Sequence, residues 1–293
     1  LDLAADSFLG LPWGPEAAKI NRAFVDMVQA SVAPIRAPLP FTQMKRGVDG
    51  RAFLVDYFTR EVSKRRSGEG MGQDMFSQFA TATREDGSLL PVDEVVDHMN
   101  FLMMAAHDTI TSSATALVYQ LALHPEWQEK LRAEALAVAD NSELAYDNLG
   151  RMELTEMAFK EALRLIPPVP SMPRRALRDF EFGGYRIPAG THVGINVHWT
   201  HHSTDYWDEP ERFEPIRFTR EAEKARHKYA WVPFGGGAHM CLGLHFAYMQ
   251  VKVLMAQLLT RYRITLEQGS GSDWQPWPIP KPKDGLRVVL TLV

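Results

Sequence analysis

Thiols are nearly absent. Cys241 is the one cysteine among 293 residues, which excludes an internal disulfide and any multi-cysteine zinc or iron–sulfur site. Long apolar runs are missing as well: no stretch approaches the roughly 18 apolar residues of a membrane span, and the most apolar segment carries His107 and Asp108. Neither charge sign dominates. With 36 acidic and 32 basic residues, net −4, the chain has no electrostatic footprint of a nucleic-acid binder. Low-complexity segments, internal repeats and a secretory signal pattern are also lacking. What remains is 45% apolar and 23% charged, the composition of an ordinary globular core.

The first half reads as helices, at about Pro15 to Val32, Asp49 to Arg66 and Gly72 to Thr83, separated by breaks containing Pro or Gly. From Asp93 to His124 apolar residues recur at helical spacing, including Val95, Met99, Met103, Ala106, Ile110, Leu117 and Leu121. That pattern predicts a single helix roughly 48 Å long. Pro125 ends it and opens another helix to about Val138, and a further helix near Met152 to Leu165 stops at Pro167-Pro168.

The period then changes. Phe180 and Phe182 alternate with polar residues before a Gly183-Gly184 turn, and Thr191, Val193, Ile195 and Val197 alternate after Pro188-Ala189-Gly190, the pattern of short strands. A polar, irregular stretch leads to Trp231, helical period returns from Leu244 to Tyr262, and Val288, Leu290 and Leu292 suggest a closing strand. The expected fold class is mainly α with a minor β portion.

The most informative segment is Phe234-Gly235-Gly236-Gly237-Ala238-His239-Met240-Cys241-Leu242-Gly243, just before a helix. A thiol there meets the positive end of a helix dipole and free backbone N–H groups, surroundings that favour a thiolate. Four glycines remove side-chain bulk, so the backbone can approach a large flat ligand. A thiolate beside a flat ligand is what haem iron with an axial cysteine requires. The loop alone leaves open a buried structural cysteine and a nucleophilic cysteine, although no partner His with Asn or Asp is identifiable for the latter.

The same loop resembles, at every position, the haem-binding signature Phe-x-x-Gly-x-His/Arg-x-Cys-x-Gly of the cytochrome P450 family. Three further segments match in that family's order. Glu161-Ala-Leu-Arg164 is similar to its Glu-x-x-Arg pair, and Pro210-Glu211-Arg212-Phe213 to the motif supplying a second arginine. Ala105-Ala106-His107-Asp108-Thr109 resembles the oxygen-activation motif of its long central helix. The resemblance implies a cytochrome P450 fold over its C-terminal two-thirds, lacking the N-terminal part. It implies a single haem-thiolate domain over 1–293: helical at 1–165, β-rich and irregular at 166–240, the Cys loop and its helix at 234–262, and C-terminal strands at 263–293.

It also implies roles. Cys241 would be the axial ligand to the iron of haem b (iron protoporphyrin IX). Phe234, Gly235 and Gly243 would shape the loop against the haem, with Ala105 lying over it, and His239 and Arg174 would hold the propionates. Glu161, Arg164 and Arg212 would form a structural cluster supporting the cysteine loop. Thr109 would donate a hydrogen bond during oxygen activation, and Asp108 would relay protons from solvent. Ala106 stands where the family commonly has glycine, so a tighter oxygen pocket is expected. His198, His201 and His202 lack adjacent carboxylates and read as a polar loop, not a metal site. Lys224, Arg226, His227 and Lys228, interleaved with Glu221 and Glu223, suit an electron-transfer partner or an ordinary surface equally well.

The function so implied is a cytoplasmic monooxygenase that inserts one atom of O2 into a small apolar organic substrate. With no G-x-G-x-x-G after a strand, electrons from NAD(P)H would arrive through a separate ferredoxin- or flavin-type partner. A peroxide-driven peroxygenase and a non-catalytic haem- or ligand-binding remnant are the alternatives. Phe101, Met104, Val169, Ser171 and Met172 are candidates to line the substrate pocket.

Overall fold

The computed structural model describes residues 2–139, 144–268 and 273–293; Leu1 lies outside them. Two compact units are present, Leu1–Asp108 and Thr109–Val293. Five helices make up the first: α1 (Asp2–Leu9), α2 (Pro15–Ala30), α3 (Gln43–Arg66), α4 (Met75–Thr81) and α5 (Val92–Ala105). α3 begins earlier than apolar spacing predicts because Thr42 caps it, its Oγ1 accepting the Lys45 N–H at 3.1 Å. Asp74 caps α4 in the same way, from Ser77 at 2.8 Å. The core stacks Phe24, Phe58 and Phe76, with ring centroids 6.1 and 5.3 Å apart in sequence. α2 and α3 approach closely at Gly47, where a Cβ would stand 2.2 Å from that of Ala30.

The single helix expected over 93–124 is two. α5 ends at Ala105 and α6 (Asp108–Leu123) follows, with Ala106 and His107 in a turn between. Ala106 has left the helical region at φ −86°, ψ 3°, while its N–H still reaches the Leu102 carbonyl at 3.0 Å. No proline or glycine marks the break. Its signal is the polar pair His107 and Asp108, whose Nδ1 and Oδ1 are 2.7 Å apart; a short polar side chain at a helix start competes with helical hydrogen bonding.

From α6 onward the second unit adds α7 (Pro125–Val138), α8 (Glu153–Leu165), β1 (Ser171–Arg175), β2 (Phe180–Phe182), β3 (Tyr185–Ile187) and β4 (His192–Asn196). It continues with α9 (Val197–His202), α10 (Arg220–Ala225), α11 (Leu244–Leu259), β5 (Tyr262–Leu266), β6 (Trp274–Gln275), β7 (Lys281–Pro282) and β8 (Val288–Leu292). The core is helical, with Leu117, Leu121, Leu131, Phe159, Leu163, Val251, Met255 and Leu259 buried together. Among the described residues the strands form four antiparallel pairs, β1–β4, β2–β3, β5–β8 and β6–β7. The stretch holding His198, His201 and His202, expected as a loop, is α9, capped by Asn196 Oδ1 on the Trp199 N–H at 3.0 Å. α11 stops at Leu259, short of Tyr262, which opens β5. Among the described residues, no helix is long and apolar enough to cross a membrane.

Candidate functional site

The cysteine loop is closed on itself. Cys241 donates its N–H to the Phe234 carbonyl at 2.8 Å, Gly235 N–H reaches Val232 O at 3.1 Å, and Met240 N–H reaches Gly237 O at 3.1 Å. Gly235 turns the chain at φ 72°, and a Cβ there would meet the His239 carbonyl at 3.1 Å. Gly243 is the N-cap of α11. Phe234 anchors the loop, its ring 6.0 Å from Trp231 and 5.7 Å from Tyr248, which packs edge-on to Phe159 of α8. Within this frame Cys241 is a free, exposed thiol, flanked by exposed Met240 and Leu242.

A lone thiol is a poor site for a bare metal ion, and among the described residues no group of three His, Cys, Asp or Glu could hold one. Exposed sulfur between apolar side chains suits a metal that brings its own planar ligand set. β1 runs beside this loop: Met172 Sδ lies 3.6 Å from where a Gly235 Cβ would be. Strand alternation puts Arg174 on the Met172 face, both half-buried, and Arg175 on the other, exposed one. Arg174 donates to the Pro173 carbonyl at 2.9 Å, and Arg175 to that of Gly190 at 3.3 Å. His239 is exposed in the single 3-10 turn Gly237–His239.

Behind the loop stands a buried polar cluster. Glu161 and Arg164 face the same side of α8, one turn apart, and neither is exposed. Arg164 grips the carboxylate in two-pronged fashion, Nε to Oε2 at 2.7 Å and Nη2 to Oε1 at 2.9 Å. Its remaining donors go to carbonyls of His201 (2.9 Å), Pro210 (2.6 Å) and Arg212 (3.1 Å). All five guanidinium N–H groups are thereby used. Glu161 Oε1 also accepts the Glu214 N–H at 2.9 Å.

Arg212 does not enter this cluster through its side chain, contrary to the sequence expectation. Its side chain is 60% exposed and pairs with Glu209 and Glu214, at 3.2 and 3.3 Å. The second arginine is Arg217, whose buried Nε stands 3.5 Å from Glu161 Oε1, an ionic contact without hydrogen-bond geometry. A signal existed: Pro-x-Arg-Phe occurs twice, at Pro210–Phe213 and Pro215–Phe218, and only the second coils into the 3-10 turn that brings its arginine inward. Arg217→Ala therefore lowers the melting temperature by several degrees, a loss of about 1–3 kcal/mol, whereas Arg212→Ala stays within about 0.5 kcal/mol of wild type. Paired thermal melts check the contrast.

His201, which sequence reasoning left in an undifferentiated histidine run, is fully buried. Val232 N–H donates to its Nε2 at 3.0 Å, and its Nδ1 faces the Arg164 carbonyl at 3.2 Å. Burial pushes its ring down to about 3, aided by the Arg164 charge, so it is neutral with the proton on Nδ1. On α9 it lies between His198 and His202, whose tilted rings have centroids 4.1 Å apart.

Thr109 is half-buried in the first turn of α6, and its carbonyl accepts the Ser113 hydroxyl at 2.7 Å. In the other unit, Asp108 and His107 are each about a third exposed. Phe101, Met104 and Ala105 share an exposed face of α5. Val169 and Ser171 are exposed too, in the unit that carries Cys241.

An exposed cysteine on a glycine-rich loop ahead of a helix, together with a buried Glu-x-x-Arg pair, is the pattern of the haem-thiolate class. This chain belongs to the cytochrome P450 family, whose model matches residues 15–288. It is 39% identical over 298 residues to "Putative cytochrome P450 136" of Mycobacterium tuberculosis, covering 99% of this chain and 59% of that protein. It is 36% identical over 216 residues to human cytochrome P450 4X1, covering 73% of this chain and 42% of that one. A solved structure of retinoic-acid-bound cyanobacterial CYP120A1 superposes with TM-score 0.90 at 29% identity, covering all of this chain and 67% of the other. The chain thus spans about three-fifths of the length of its first curated relative. Haem b is the cofactor of this family.

Proposed function

We propose that this chain forms the haem-thiolate core of a monooxygenase that inserts one atom of O2 into an apolar organic substrate, with electrons from NAD(P)H delivered by a separate ferredoxin- or flavin-type protein. The observation that carries this reading is the sole thiol, exposed on a loop closed by its own N–H. Bound haem supplies the oxygen-activating chemistry; everything else falls to the chain's own residues. Cys241 would ligate the iron, and Arg174 and His239 would bind the propionates, with Arg174 on the half-buried face of β1. Thr109 would offer its hydroxyl as the hydrogen-bond and proton donor where oxygen is activated. Asp108 passes protons inward, its carboxylate touching both solvent and the His107 ring. Phe101 and Met104 offer exposed apolar side chains for an apolar substrate. In this reading the two compact units are parts of one haem-thiolate domain, and Glu161, Arg164 and Arg217 brace its cysteine loop.

Retinoic acid, the ligand named for the cyanobacterial neighbour, is an apolar first probe. Titrated into haem-loaded protein, it is expected to displace water and shift the iron from low to high spin. Reductant-driven turnover should then consume O2 and NAD(P)H in step with hydroxylated product. Turnover with peroxide alone, and none with reductant and a redox partner, refutes the monooxygenase reading.

A further inference from the structure

We propose that His201 is a positioning residue for Cys241: as a neutral ring with its proton on Nδ1, it pins the entry of the cysteine loop to the end of α8 and so sets where the sulfur sits. The inference rests on the reading that Cys241 ligates haem iron, and adds to it a residue outside the loop. Its geometric basis is a chain of short contacts, all within the second unit. Arg164 sits next to the last residue of α8, and its main chain and side chain both meet His201. The ring's Nδ1–H donates to the Arg164 carbonyl at 3.2 Å, and the Arg164 guanidinium donates to the His201 carbonyl at 2.9 Å.

From the far side of the ring, Nε2 accepts the Val232 N–H at 3.0 Å. The Val232 carbonyl in turn takes the Gly235 N–H at 3.1 Å, and Phe234, one residue earlier, accepts the Cys241 N–H at 2.8 Å. Both backbone groups of Val232 are therefore held, one by the turn that starts the loop and one by the imidazole. No sheet contact substitutes for the ring, because Val232 lies outside the described strands.

The chemistry selects one protonation state. A backbone N–H pointing at Nε2 needs a lone pair there, and a carbonyl facing Nδ1 needs a proton there. An imidazolium would turn two donors against each other beside the Arg164 guanidinium in a fully buried setting. Histidine thus acts here as a rigid spacer with one donor and one acceptor, not as an acid or base. The consequence is that the position of the Cys241 sulfur depends on a side chain contributed by α9, about forty residues before Cys241.

The test uses haem-loaded protein and reads the Soret band of its reduced, carbon-monoxide-bound form, which reports whether thiolate remains the axial ligand, alongside far-UV circular dichroism for folding. His201→Phe fills the space without either polar contact. It is expected to keep wild-type helicity while more than half of the thiolate-type band moves to the shorter-wavelength type. His201→Gln, whose amide offers one donor and one acceptor, is expected to retain the wild-type ratio. An unchanged ratio in the Phe variant, or an equal loss in the Gln variant, overturns the proposal. Should the Phe variant not fold, Val232→Pro deletes the donated N–H and leaves the imidazole in place; the same band shift is expected there, and a wild-type band is contrary. Absence of any thiolate-type band in the wild-type protein would instead refute Cys241 as ligand.

Discussion

Replacing Glu161 by alanine removes haem binding and most of the folded yield together. The carboxylate lies out of solvent and takes two N–H donors from Arg164 and one from the Glu214 backbone, with Arg217 alongside. Taking it away leaves a guanidinium charge in the core with two donors unsatisfied. Breaking a buried pair from one side costs about 3–5 kcal/mol, a large share of the ~5–15 kcal/mol that holds a domain together. The melting temperature is expected to fall by roughly 10 °C, given about 2–4 °C per kcal/mol for a unit of this size. Arg164→Lys should do nearly as much harm, since an ammonium offers three donors where the guanidinium satisfies five acceptors. Thermal melts and haem content of the purified variants decide it: normal haem loading and an unshifted melt in Glu161→Ala would remove the cluster from its bracing role.

Thr109→Ala should behave in the opposite manner, folding normally and failing in chemistry. Thr109 occupies the first turn of α6, where losing a hydroxyl costs about 1 kcal/mol or less of stability. The neighbouring hydroxyls of Ser112 and Ser113 are committed to carbonyls of Pro280 and Thr109, at 2.6 and 2.7 Å, which leaves them poor substitutes. If the Thr109 hydroxyl steers proton delivery, its loss lowers product formed per NAD(P)H by about 100-fold, with reductant still consumed and peroxide released. Thr109→Ser should restore most of the coupling. Product-to-reductant ratios and peroxide assays measure this. Unchanged coupling in the alanine variant would mean that Thr109 serves only the start of α6.

Much of this was legible in the sequence, and the parts that were not have physical causes. The cysteine loop, the Glu161–Arg164 spacing and the Gly183-Gly184 hairpin are local patterns, and local chemistry dictates them. The break at Ala106–His107 escaped because apolar periodicity runs through it unbroken, with only the adjacent histidine and aspartate to betray it. Arg217 escaped because Pro210–Phe213 and Pro215–Phe218 spell the same motif, and which arginine turns inward depends on the fold around Glu161. His201 could not be told from His198 and His202 without knowing which face of a six-residue helix is buried. The last two turn on long-range contacts that no spacing rule contains.

The claim on which the account depends is that Cys241 sulfur is the axial ligand of haem iron. The most direct measurement is the difference spectrum of the reduced, carbon-monoxide-bound protein, taken for wild type and Cys241→Ser. Cysteine ligation gives a long-wavelength, thiolate-type Soret band in the wild type that disappears in the serine variant. A wild-type protein that loads haem without that band, or a serine variant that keeps it, would contradict the assignment.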